Sequence, residues 1–138
     1  MSRKVCLSLA VACLIAVSSV AVAQENEPRA IVSMYQIAPG KHLEFLKWLA
    51  ARDEASKAAG LPAGQLYAHT NGASWDYVVI APELTPEQEK KLDEVSKKRA
   101  LKIGVAASLE IRQFIATHSD TFAVGPTTAA DVVARATK

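Results

Sequence analysis

A short apolar run that stops at Pro39-Gly40, an amphipathic stretch over residues 41–59, an Asn71-Gly72 turn signal between two strand-like runs and a Thr85-Pro86 helix start follow one another along the chain. That order, read as strand, helix, strand, strand, helix, strand, predicts an α+β fold of the split βαβ, ferredoxin-like βαββαβ kind, with an extra helix. Composition agrees with one small domain, because half of the 138 residues are apolar and 22% are charged.

Residues 1–23 stand apart from that domain. Arg3 and Lys4 precede an apolar stretch over residues 5–20 interrupted only by serines, and Ala21-Val22-Ala23 supplies a small-residue cleavage signal. A secretory signal peptide over 1–23 is therefore expected, with the mature chain exported to the periplasm or the medium and starting at Gln24. An uncleaved anchor fits less well, since the run is barely long enough to span a bilayer and ends in small residues. Ala10-Val11-Ala12 before Cys13 offers a lipidation alternative, but it lacks the leucine such a signal carries at the position of Ala10. Cys6 and Cys13 are the only cysteines, so the processed chain can form no disulfide in a compartment that permits them. It also has 14 basic and 14 acidic side chains over 115 residues and no net charge. That balance excludes a basic nucleic-acid binder, and nothing after residue 23 is long and apolar enough to hold the chain in a membrane.

Residues 24–29 read as a polar, flexible lead-in to a single domain over 30–138. In 30–37, Ile31, Val32, Met34, Tyr35 and Ile37 make a strand that Pro39-Gly40 ends. Over 41–59, Leu43, Phe45, Leu46, Trp48 and Leu49 recur at helical spacing, and Gly60 and Pro62 are stop signals. Two strands, 65–70 and 75–81, flank Asn71-Gly72. Thr85 as N-cap, Pro86 as first helical residue and Gln88 three places on form a capping box for a helix running toward Ile103, which Gly104 is expected to end. Its Lys90, Lys91, Lys97, Lys98, Arg99 and Lys102 alternate with acids and read as a solvated face over a thin stripe of Leu92 and Val95. A further helix over 106–117 aligns Ala107, Ile111, Phe114, Ile115 and His118. A strand over 121–124 and a terminal helix capped by Thr128 and Asp131 complete the chain.

The stretch Tyr35-Gln36-Ile37-Ala38-Pro39-Gly40-Lys41, with Glu44 and Phe45 after it, resembles the first strand and helix start of the dimeric α+β barrel superfamily. That superfamily includes small cofactorless monooxygenases, muconolactone isomerase-like proteins, stress-responsive barrel proteins and haem-dependent relatives. The likeness in element order covers about 30–125; the 106–117 helix and the residues after Pro126 are additions. What the resemblance implies is a barrel shared between two copies. The homodimer also follows from the sheet itself, since helices on one face leave the other open and in need of a partner.

Chemistry is narrowed mainly by what the chain lacks. His42, His69 and His118 are the only histidines, at separations that match no helical metal pair and no zinc site, so no metal and no cofactor are expected. There is no phosphate-cradling glycine loop and no nucleophile-elbow serine, and cysteine catalysis ends with signal cleavage. The hairpin concentrates Tyr67, His69, Trp75, Asp76 and Tyr77. A two-residue loop pairs Leu66 with Tyr77 and Ala68 with Trp75; a five-residue loop pairs Tyr67 with Tyr77 and His69 with Trp75, making one aromatic face suited to a ligand. The backbone demands of Asn-Gly favour the shorter loop. At the end of the 106–117 helix the dipole would favour protonated His118, and Asp120 would lock it, a capping role preferred to acid–base work. Arg112 becomes an anion clamp only if it points inward.

Tyr67, His69, Trp75, Tyr77, His118 and Asp120 are therefore the candidate ligand contacts, with His69 and His118 the candidate proton carriers. The favoured reading is an exported ligand-binding or interaction module whose partners are a second copy and a small apolar molecule. The alternative is a cofactorless oxygenase or isomerase that orients a small apolar or aromatic substrate in a dry pocket. A haem-binding variant ranks third, because it needs a proximal histidine in a roomy cavity.

Overall fold

The computed structural model describes residues 28–72 and 74–137. The predicted signal peptide and all but the last two residues of the lead-in lie outside the described residues. The elements are β1 (Arg29–Ile37), α1 (His42–Ala58), β2 (Gln65–Ala68), β3 (Tyr77–Pro82), α2 (Pro86–Lys98), α3 (Gly104–Ile111), β4 (Ile115–Val124) and α4 (Ala129–Ala136). The four strands form one sheet in the order β2-β3-β1-β4, and every neighbouring pair is antiparallel. This is the ferredoxin-like βαββαβ arrangement, with α3 inserted before the last strand and α4 appended after it.

Both long helices end in the same way. After α1, the Gly60 N–H donates to the Lys57 carbonyl and the Leu61 N–H to that of Ser56, with Gly60 at φ +67°. After α2, Ala100 donates to Lys97 and Leu101 to Ser96, with Ala100 at φ +57°. Both are Schellman caps, which close the last carbonyls through a left-handed residue. The second cap ends α2 at Lys98, five residues short of the expected Ile103, and Gly104 opens α3 instead of closing α2. The Thr85–Gln88 and Thr128–Asp131 capping boxes both form as predicted.

The expected helix over 106–117 and strand over 121–124 are both corrected. α3 stops at Ile111, and β4 runs for ten residues, pairing with β1 from Arg29↔Val124 to Ile37↔Ile115. The apolar spacing of Ile111, Phe114 and Ile115 suits a helix equally well, but a full-length partner for β1 satisfies backbone groups on both strands. One bulge, where Ala116 stands out of the ladder, absorbs the mismatch near Ile37.

Neither expected hairpin register is adopted. Leu66 pairs with Val79, Tyr67 with Val78 and Ala68 with Tyr77, leaving a loop over residues 69–76. The cause lies in β1, because Asp76 donates its N–H to the Tyr35 carbonyl at 2.8 Å and its carboxylate accepts the Ile37 N–H at 2.6 Å. These contacts fix the start of β3 opposite Tyr35, and the local preference of Asn71-Gly72 yields to them.

The core lies between the sheet and α1. Phe45 is fully buried, packed on Tyr35 and Tyr77 with ring centroids 5.1 and 5.5 Å away, and Ile37, Ala55 and Ala59 are the other buried apolar side chains among the described residues. By strand alternation the opposite face presents Ala30, Val32, Met34, Tyr67, Val78 and Ile80, and no helix among the described residues covers it.

Candidate functional site

Strand register places four polar side chains on the helix-covered face. Ser33 and Tyr35 alternate inward along β1, and the β1–β4 ladder sets Asp120 opposite Ser33 and His118 opposite Tyr35. Helix α1 brings Trp48 and Arg52, one turn apart, over this group, and α3 closes the far side with Ala107, Ser108 and Ile111. Between them lies an open groove of about 320 Å³, lined by Ser33, Tyr35, Trp48, Arg52, His118 and Asp120.

The rings are ordered. Tyr35 and His118 lie nearly parallel, 13° apart with centroids at 6.0 Å. The His118 Nε2 is 3.7 Å from Asp120 Oδ2, an ion-pair separation longer than a hydrogen bond, and the His118 side chain is 34% exposed. Burial pushes the Tyr35 phenol above its ordinary pKa, a hydrogen bond with Ser33 opposes this, and the charge of Asp120 adds to it. Tyr35 therefore stays protonated at neutral pH and can donate.

Glu110, on α3, holds the α1 wall in place. It accepts from Trp48 Nε1 at 2.9 Å, and Arg52 Nη2 and Lys102 Nζ stand at 3.5 and 3.3 Å from its two oxygens. Arg52 also donates to the Lys102 carbonyl at 3.0 Å and stacks over the Trp48 ring at 4.2 Å. Burial raises the Glu110 pKa, but the Trp48 and Lys102 hydrogen bonds and the charges of Lys102 and Arg52 outweigh it, and the net shift is downward. The Arg52 Nη2 is thus committed to the wall and the guanidinium plane to Trp48, while the buried Nε has no hydrogen-bond partner among the described residues. What the groove offers a ligand is aromatic surface with Ser33, Tyr35, His118 and Asp120 as polar groups.

The six residues named from the sequence do not converge. His118 and Asp120 enter the groove, but from the middle of β4; the helix terminus on which the protonated, dipole-stabilised lock depended is absent at His118, because α3 ends at Ile111. Tyr67 lies on the open face, its hydroxyl donating to Gln65 Oε1 at 3.1 Å. Tyr77 points the other way, into the core on Phe45. A shared Tyr67–Tyr77 face is thereby overturned. His69 and Trp75 pack together in the hairpin loop at 5.2 Å, and the His69 Nε2 is buried with no hydrogen-bond partner among the described residues. Arg112 caps the end of α3 and is exposed.

Tyr35, Trp48 and Arg52 lie within the strand and the helix expected from the sequence, but nothing local to any of them shows that they meet. Among the described residues no group of three or more His, Cys, Asp or Glu side chains is placed to hold a metal ion, and no helix is long and apolar enough to cross a membrane.

No protein-family profile matches the chain, nor does any curated protein sequence. Among solved structures it is similar to a dimeric protein of unknown function and ferredoxin-like fold from Bacteroides fragilis NCTC 9343, at 11% identity over 71% of this chain and 96% of that one, with a TM-score of 0.42. It is also similar to a dimeric ferredoxin-like protein from an uncultured marine organism, at 17% identity over 75% and 91% of the two chains, with a TM-score of 0.45.

Proposed function

We propose that this protein is an exported homodimer that binds a small molecule with an aromatic body and a hydrogen-bond donor in the groove beneath α3. The observation that carries the reading is the Tyr35–His118–Asp120 array facing Trp48 across about 320 Å³. Ligand sites are concave, mostly apolar and furnished with a few convergent polar groups, and this groove has that composition. Export is supported by the charge and apolar pattern of residues 1–23, and dimerisation by the uncovered apolar face of the sheet.

Trp48 supplies the assay. In a Trp75→Phe variant it is the sole tryptophan, and 4-nitrophenol, a compact non-fluorescent aromatic with a hydroxyl donor, should quench its fluorescence saturably. Asp120→Ala should weaken that binding roughly tenfold, the effect of losing about 1.4 kcal/mol of charge-assisted hydrogen bonding. Absence of saturable quenching by any compact aromatic probe would sink the reading.

His118 beside Asp120 favours a second reading, a cofactorless oxygenase or isomerase of the kind found in the dimeric α+β barrel superfamily, with His118 carrying the proton. Catalysed oxygen uptake or isomerisation of a phenolic substrate, lost in His118→Gln while binding persists, would establish it over simple binding.

A further inference from the structure

The C-terminal helix α4 is turned the wrong way round for a helix that packs on its own chain. Asp131, Ala134 and Arg135 line the crevice against Pro28 and Val124, whereas Val132 and Val133 point outward, 48% and 61% exposed. Ala129, Val132, Val133 and Ala136 form one stripe at helical spacing, and all are exposed. A full capping box nevertheless holds the helix. On the open face of the sheet lies the complementary feature, a groove of about 550 Å³ lined by Ala30, Val32, Tyr67, Ile80 and Ala123. Gly125 and Pro126, through which the chain leaves β4 for α4, form part of its rim.

We propose that α4 is a dimerisation arm, and that its Val132–Val133 stripe docks into the open-face groove of a second copy of this chain. The inference rests on the homodimer reading above and adds to it which surfaces meet. Asp131, Ala134 and Arg135, though exposed, face the crevice toward the body of the chain, so the chain cannot use the stripe on itself without turning α4 about its axis. A twofold axis near the rim lets each arm serve the other copy, because in an isologous interface the same surface of both copies is used and every contact of residue i with residue j is repeated as j with i. The processed chain carries no net charge, so two copies meet without long-range repulsion. A membrane is the poorer occupant: α4 has eight residues, and its other side carries Asp131 and Arg135 where a surface-binding helix carries a basic face.

The processed chain has no cysteine, which makes cross-linking unambiguous. Val133→Cys and Ile80→Cys proteins with different tags would be co-expressed, purified after export and treated with a short bis-maleimide. A mixed cross-linked dimer of the two variants is the expected product. Closure within one chain of the double variant, or a dimer in which the two cysteines do not react, would overturn the arm. Val132→Asp with Val133→Asp should raise the dimer dissociation constant on the order of 100-fold, from the apolar area lost on both copies. Val105→Asp, at a still more exposed valine on α3, should leave it unchanged. An unaltered dissociation constant in the double Asp variant rejects the arm while leaving the homodimer standing. A parent chain that stays monomeric at all concentrations removes the homodimer and the arm together.

Discussion

Glu110 is the residue on which the groove's far wall depends. It joins α3 to Trp48 and Arg52, 62 and 58 residues earlier, and to Lys102 in the linker before it. Its pKa is lowered in the folded protein, so its contribution is present above the unfolded value and is lost as pH falls through the folded one. Glu110→Gln keeps an acceptor for Trp48 but removes the charge, and should cost about 1–2 kcal/mol at neutral pH. The deficit should shrink once pH drops well below the ordinary carboxyl value of 4.5, because the parent then loses the same charge. Urea unfolding of both proteins at pH near 7 and near 3 reads this directly, and an equal deficit at the two values would remove charge from the account. Nothing in the local sequence marks Glu110, since its partners are brought to it only by the packing of α1 against α3. His118 and Asp120 were visible as a pair, being two residues apart, but their setting was not.

At the scale of elements, the two Schellman caps show what could be read and what could not. Gly60 announces the end of α1 because glycine adopts positive φ without strain, and the helix stops there. Ala100 performs the same task at φ +57° with a Cβ that disfavours it, so α2 ends where no glycine signals an end. Ala100→Gly should therefore stabilise the protein by roughly 0.5–1 kcal/mol, the relief of left-handed strain exceeding the added freedom of the unfolded chain. A shift of the urea midpoint upward with unchanged slope is the expected record, and a downward shift would mean that the cap is held by something other than backbone geometry. β1, α1 and both capping boxes were legible because their signals are local. The β2–β3 register and the length of β4 were not, since Asp76 bonding to β1 and the ten-residue ladder against β1 are long-range pairings that override the turn and the periodicity.

For the whole molecule, burial is the governing quantity. Among the described residues only Ile37, Phe45, Ala55 and Ala59 are essentially buried apolar side chains, while Met34 and Tyr67 on the open face stand 42% and 51% exposed. Small domains bury a modest share of their surface even when complete, and a core this thin leaves little to set against chain entropy. No cysteine lies among the described residues, so no disulfide there makes up the difference. In the proposed homodimer a second copy covering Val32, Met34, Val78 and Ile80 would supply the missing burial, and folding would then be coupled to association. Stability must in that case depend on protein concentration, since mass action favours the folded dimer by about 2.7 kcal/mol for each hundredfold increase. The melting temperature should accordingly rise by roughly 5 °C over that range for a domain of this size. Calorimetry at dilute and concentrated protein, with light scattering on the same samples, makes the comparison. A melting temperature that does not move across a hundredfold range would mean that one chain is stable alone, and that its open face belongs to something other than a second copy.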